Sequence, residues 1–556
     1  MPRCLASAVV TREAASAEKQ DLSAWATQHK KGAMRAPADP ASTLLPDAVI
    51  ADLRAGYTSL ASEHTYSVAA AEVEGKLPTG LVGTLFRNGP GLLEIGSTKL
   101  DQPFDGDGMV CSFTFTGDGS VRFSNRYVQT AGYVAEKAAG KMLFKGAFAT
   151  GATMPGLFNP FDFNVKNVAN THVVEIAGRL WALWEGGLPH ELDPATLETK
   201  TRNGVAESSW DGAISGKGPF GAHYKVVGHG DAARLVNIGA GRQGDDAAIT
   251  FYEFHASTGK LARKKAAVLK GDAFGFFHDA LVTPSYYIVT ANPMRMDLGK
   301  LLTQYMFGRC SIAECLVMDK AAPLKIHVVP RGDTGGPVRT FLAPSAFVFH
   351  HVNAFESGPG QLVCDSIAWR SVDFSSSLKT LSPSYYGAGG PAASDQRSEL
   401  VRYTLDLSAT SDELAAGGRV SCSRLVQRPL EFPCVAPSVV GQPHSHSYAC
   451  GSAVDHPTVW GPAQTVVKVT NGKEAAVCYL GPRCFTQEPV FVPRSSGGAE
   501  DDGWLLCLVW NAERRRTQLV VLDAQRVEAG PVATVTLQHA IPFGLHGSWT
   551  PQVWHH

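Results

Sequence analysis

The sequence has no apolar stretch long enough to cross a bilayer, which excludes helical membrane spans. It has no secretory apolar core near its start. Its eleven cysteines are an odd, scattered set without a Cys-x-x-Cys pair. A complete disulfide framework is therefore not expected, and a reducing compartment suits the chain better. Cys111, Cys364 and Cys507 lie in apolar runs and read as small core residues. The closely spaced Cys and His pairs of structural zinc are also missing. Neither sign of charge dominates: 50 Lys and Arg stand against 51 Asp and Glu. That balance leaves no electrostatic footprint for nucleic acid, and Arg514-Arg515-Arg516 reads as a solvated turn. No WD or kelch type of repeat marks the chain, so a blade count cannot be read from it.

What is present is globular and rich in turns. Hydrophobic residues make up 44%, and 56 Gly and 33 Pro are spread throughout. Short apolar runs separated by Gly, Pro and Asp recur from Leu77 onward, among them Arg179 to Glu185, Tyr286 to Thr290, Gly503 to Trp510 and Gln518 to Leu522. Strands in such number, with few helices between them, imply a large antiparallel architecture. A β-propeller solves its edge problem by radial closure. The expected organisation is an N-terminal tail over residues 1–45 and a single domain over 46–556. The tail carries Arg3 and Arg12 before its first acid, Glu13, which suits either a plastid transit segment or a plain disordered tail.

Two stretches have helical periodicity, Val134 to Phe144 and Met296 to Phe307. The first leads into an apolar segment through Phe158. Either they pack on the sheets, or they form a lid that lines an apolar tunnel and touches a membrane surface. Phe104 to Val110 reads as a tight turn; its Asp105 and Asp107 lack the spacing and terminal Glu of a calcium loop.

The chemistry gathers around Phe347 to Glu356. Alternation there predicts a strand, which puts His350 and His351 on opposite faces. Only one of them can point at a given metal. Three distant segments each set one histidine among apolar residues: His223, His278 and His546. Four dispersed imidazoles are neutral ligands, so a bound metal keeps its full charge, which fits redox-capable Fe(II). Such ligands need their second ring nitrogen fixed, and Glu185, Glu431 and Glu488 lie in apolar or proline-rich contexts where a lone carboxylate is costly. His444 and His446 read as structural residues on one strand face.

These motifs together resemble the carotenoid cleavage oxygenase family, in particular its apocarotenoid 15,15'-oxygenase branch. Gly83-Thr-Leu-Phe-Arg-Asn-Gly-Pro90, Phe104-Asp-Gly-Asp-Gly-Met109, Trp184-Glu-Gly-Gly-Leu-Pro189, Phe349-His-His-Val-Asn-Ala354, Glu431-Phe-Pro433 and Glu488-Pro-Val-Phe-Val-Pro493 carry the likeness, in the family's order, from about residue 77 onward. The resemblance implies an all-β, seven-bladed propeller with an α-helical dome over axial Fe(II). It implies His223, His278, His350 and His546 as ligands, oriented by Glu185, Glu431 and Glu488, and it selects His350 over His351. The implied reaction is cleavage by O2 of one double bond of an apolar polyene, with peripheral membrane contact through the dome. Stilbene cleavage, retinoid isomerohydrolysis and a non-catalytic propeller are the alternatives. Two departures, Tyr224 after His223 and Ala280 after Asp279, bear on the cavity and leave the ligands intact.

Overall fold

The structure is a computed structural model that describes residues 47–150, 159–202, 204–214, 218–332, 336–375, 396–453 and 462–554. The expected tail over 1–45 and the end of the apolar run at Phe158 lie outside the described residues.

Seven antiparallel sheets follow one another along the chain as the blades of a propeller, with two small two-stranded ribbons besides. Three successive blades are simple four-stranded meanders. They start with Lys225–Val227, Ala280–Val282 and Phe347–Gly358. The next blade starts with Leu430–Cys434, and the second blade is the three-stranded His172–Ile176, Arg179–Leu183 and His190–Leu192. Buried apolar layers lie between neighbouring blades. One such layer joins Val236, Ile238 and Phe251 of one blade to Val282, Tyr287 and Val289 of the next.

The remaining two blades mix the two ends of the chain. Val82–Leu92 pairs on one side with Asp107–Thr116 and on the other with Gly547–Thr550, in the register Leu85 opposite Trp549 and Arg87 opposite Gly547. Glu74–Gly75 pairs with Pro531–Thr536 in the adjoining blade. The ring is therefore latched twice, once by an N-terminal strand in a C-terminal blade and once by the reverse. Trp549 packs on the core that contains Leu85 and Phe113, and the Trp554 carbonyl accepts from Thr114 Oγ1 at 2.7 Å.

The dome is less helical than expected. The first helix is Ala131–Ala139, capped by the Thr130 side chain and stopped by Gly140 at φ +63°. A left-handed residue ends the helix there, although Met142 to Phe144 continue the apolar periodicity. The second stretch breaks into three pieces. Met296 ends a strand, Asp297 caps the short helix Leu298–Thr303, and a single 3-10 turn covers Tyr305–Phe307. Stacking of Phe163 on Tyr305 and a bond from Ala313 N–H to the Ala147 carbonyl join the two insertions.

Asp105 and Asp107 do more than make a turn. Asp105 accepts the Phe148 N–H at 2.9 Å, and Asp107 meets Lys166 at 2.9 Å, which also holds Glu136 at 2.7 Å. Burial, opposed by those backbone donors, pushes the Asp105 carboxyl up to about 7. These buried groups tie the dome to the blade below it. All ten described cysteines are free, and Cys111, Cys364 and Cys507 are buried in the core.

Candidate metal centre

His223, His278 and His350 lie on or just before the edge strands of three successive sheets, and His546 just before the edge strand of the sheet that closes the ring. His223 precedes Lys225–Val227, His278 precedes Ala280–Val282, His350 lies within Phe347–Gly358, and His546 precedes Gly547–Thr550. His350 and His351 do face opposite ways, helped by an irregular register. The ladder shifts between Val348 and His351, so His350 falls in a bulge. Bulges re-aim a side chain without ending the strand.

Ligand nitrogens of His223, His278 and His350 lie within 4.8 Å of one another. The His546 ring sits beside them, its centroid 4.4 Å from His223 and 4.9 Å from His350. The His223 and His278 Nε2 atoms approach to 2.9 Å, and His350 Nε2 is buried without a hydrogen-bond partner among the described residues. Converging Nε2 atoms, one of them left without a partner, are the signature of a metal site. Among the described residues, no other His, Cys, Asp and Glu cluster has such a spacing.

The outward nitrogens of three of the histidines each face a carboxylate. Glu185 lies against His278 Nδ1, Glu431 Oε2 is 2.5 Å from His350 Nδ1, and Glu488 Oε1 is 2.7 Å from His546 Nδ1. A carboxylate that accepts Nδ1–H leaves the Nε2 lone pair free for a metal. Two of the carboxylates, Glu431 and Glu488, are themselves fixed. Trp369 Nε1 and the Phe432 N–H each donate to Glu431 at 2.7 Å. Arg87 Nη1 donates to Glu488 Oε2 at 2.6 Å, and the Gly547 N–H reaches the same oxygen at 2.8 Å. Gly547 is required, because a Cβ there would meet the Phe86 carbonyl at 2.3 Å.

Electrostatics favour neutral ligands at two positions. Burial, with the neighbouring imidazoles, pushes His223 and His546 well below the usual histidine range. Burial lowers His278 too, but the adjoining Glu185 carboxylate outweighs it and raises the ring. His351 belongs elsewhere: its Nδ1 is 2.7 Å from Ser366 Oγ, and its N–H donates to Asp279. His444 bonds Asn353 and lies near Asp365, ahead of the strand His446–Ser452 rather than on it.

Aromatic rings line one side of the cluster. Phe349 and Phe276 stand 5.5 Å and 6.0 Å from His278, and Phe432 is 5.3 Å from His350. Contacts continue from Phe276 through Phe374 and Phe148 to the partly exposed Phe104. Phe276 and Phe432 hold φ of +46° and +53°, strain that bulky residues bear where the surroundings fix them. Tyr224 and Ala280 pack behind the histidines, in the layers between blades.

Two contributors escaped the sequence. Arg87 sat in a recognised motif without a role, and its ion pair with Glu488 spans blades at opposite ends of the chain. His172 gave no signal, being one histidine in Asn170-Thr-His172 at the start of a strand. Its ring lies 5.7 Å from that of His223 and 5.1 Å from that of His546.

Residues 57–551 match the family profile described as retinal pigment epithelial membrane protein. The chain is 38% identical to an apocarotenoid-15,15'-oxygenase of Synechocystis, over 89% of this chain and 95% of that one. It is 30% identical to lignostilbene-alpha,beta-dioxygenase isozyme III of Sphingomonas paucimobilis, over 86% of this chain and 93% of that one. A crystal structure of the cobalt-substituted Synechocystis oxygenase superposes with a TM-score of 0.78 at 37% identity, covering 90% of this chain and 98% of that one. With nearly the whole domain matched in sequence and in fold, the chain belongs to the retinal pigment epithelial membrane protein family, the carotenoid oxygenases.

Proposed function

We propose that this oxygenase is a non-haem Fe(II) dioxygenase that cleaves one conjugated double bond of a carotenoid or apocarotenoid. O2 is divided between the two carbons, so that one alkene gives two carbonyl products. The observation that carries the reading is the convergence of His223, His278, His350 and His546 with Glu185, Glu431 and Glu488 behind three of them. Iron bound by these histidines supplies the activation of O2.

The chain's own part is orientation and exclusion of water. Glu431 and Glu488 hold two imidazoles in one tautomer, Glu185 lies against a third, and the Phe276, Phe349 and Phe432 rings offer an apolar surface for a polyene beside the metal. No general acid or base is needed. On the dome, Phe161, Phe163, Leu298, Leu302 and Phe307 are 60–77% exposed, which suits contact with a lipid surface from which such a substrate is drawn. Among the described residues no helix is long and apolar enough to cross a membrane. The Arg- and Ser-bearing residues 1–45 would serve as a plastid transit segment; a rice relative, 29% identical, is a chloroplastic carotenoid cleavage dioxygenase.

The second reading is stilbene cleavage, favoured by the lignostilbene dioxygenase relative. Incubation of Fe(II)-loaded protein with carotenoids, apocarotenals and stilbenes, with carbonyl products identified by mass, separates the two. Apocarotenal cleavage is the expected outcome; stilbene products alone would establish the second reading, and no oxygen uptake with any of them would sink both.

The carboxylates give a sharper test. Glu185→Gln, Glu431→Gln and Glu488→Gln should each lower iron affinity or activity by roughly 10- to 100-fold while the protein stays folded. Full activity in all three would make them ordinary carboxylates.

A further inference from the structure

The histidine-bearing segments come from different sheets and share no strand ladder, so contacts other than sheet pairing must hold them at a common spacing. Asp279, the residue after His278, lies where three of these segments meet. Its Oδ1 accepts from Lys225 Nζ at 2.7 Å, two residues beyond His223. Its Oδ2 accepts the His351 N–H at 2.9 Å, one residue beyond His350. The Ala280 N–H also donates to Oδ1, at 2.7 Å, which fixes the carboxylate against its own backbone. An ionised carboxylate has acceptor sites for all of these donors at once, and none of the contacts depends on a tautomer.

Asp279 is buried, and the Lys225 side chain is 20% exposed. A buried carboxylate is costly unless it is paired and hydrogen-bonded, so the carboxylate needs both neighbouring segments in place. One side chain therefore crosses two blade boundaries. At one of them Asn292 gives further support: its side chain accepts the Val348 N–H at 2.7 Å and donates to the Phe276 and Val348 carbonyls. Of these two side chains only Asp279 also reaches the His223 segment, whose ring has no ion-pair partner among the described residues.

We propose that Asp279 is a positioning residue, a junction that sets the spacing of the His223, His278 and His350 segments. Its effect on a metal rests on the proposed metal centre; the junction itself is a property of the protein chain.

The test uses the full chain, metal-free and loaded with Co(II). In metal-free protein, Asp279→Ala should speed amide exchange at least about tenfold at 223–227 and at His351, while 518–522 in the last blade keeps its rates. Lys225→Met, at a partly exposed position, should speed exchange at 223–227 and leave His351 protected; it also serves if the alanine variant fails to fold. Lys225→Arg keeps the ion pair and should restore protection at 223–227. With Co(II), Asp279→Ala and Lys225→Met should each bind about tenfold more weakly or worse and show altered visible absorption bands, which follow ligand geometry. Lys225→Arg should return both readings towards those of the unmodified protein. Unchanged exchange at 223–227 in either variant, equal acceleration at 518–522, or unaltered Co(II) bands despite loosened segments overturns the junction. Unmodified protein that takes up no Co(II) overturns the metal centre instead, and the exchange data still decide on Asp279.

Discussion

Replacing His223, His278 or His350 by alanine removes bound iron and oxygenase activity together, each to below about a tenth of the unmodified level. The ligand nitrogens of these three come within 4.8 Å of one another, so each loss strips a donor from a small set. At His350 the carboxylate behind the missing ring, Glu431, is then left buried with only Trp369 and the Phe432 N–H as donors. Because the metal stabilises only the folded chain, iron no longer raises the melting temperature of these variants. His351→Ala is the control, one residue along the same strand. Its ring bonds Ser366 on the opposite face, so the change costs about 1–3 kcal/mol of stability and leaves iron content near normal. Metal analysis with calorimetry reads both effects. A His351 variant without iron beside a His350 variant that keeps it would reverse the assigned register.

The second large effect comes from the end of the chain. A chain stopped after Phe543 loses His546 and the strand Gly547–Thr550, with its pairing to Thr84, Leu85, Phe86 and Arg87. It also loses the partly buried Trp549 side chain that packs against the core. Arg87 then faces Glu488 without the Leu545 carbonyl and the Gly547 N–H that complete the arrangement. Such a protein binds no stoichiometric iron and melts well below the full-length holo form. His546→Ala in the intact chain separates the causes, since it keeps the strand and Trp549: it recovers most of the melting temperature and none of the metal. A shortened chain that still held iron and consumed oxygen would remove His546 from the centre.

The class of fold was legible because short strands and turn residues repeat throughout, but the count of seven was not. The blades run from the three strands of the second to the six of the last, and no sequence period survives. The histidines were legible as isolated imidazoles in apolar surroundings, and the family resemblance grouped them. What periodicity could not supply was anything set by tertiary contact. The bulge at His350 depends on the partner strand, and the place of Arg87 depends on a residue at the other end of the chain. The helix expected through Phe144 ended early because Gly140 takes a left-handed conformation, a local preference that overrode the apolar pattern. Asp105 and Asp107 looked like turn formers because their partners, Phe148 and Lys166, come from the dome.

The double latch also governs time. Joining Thr84 to Thr550 closes a loop that contains almost the whole domain, a contact of the most non-local kind, and such contacts form late and slowly. The cluster cannot be complete until the blades that carry His223, His278 and His350 are stacked and the last strand has docked. Metal uptake during refolding therefore lags the appearance of β-structure and keeps pace with ring closure, which makes the metal a clock for the final step of folding.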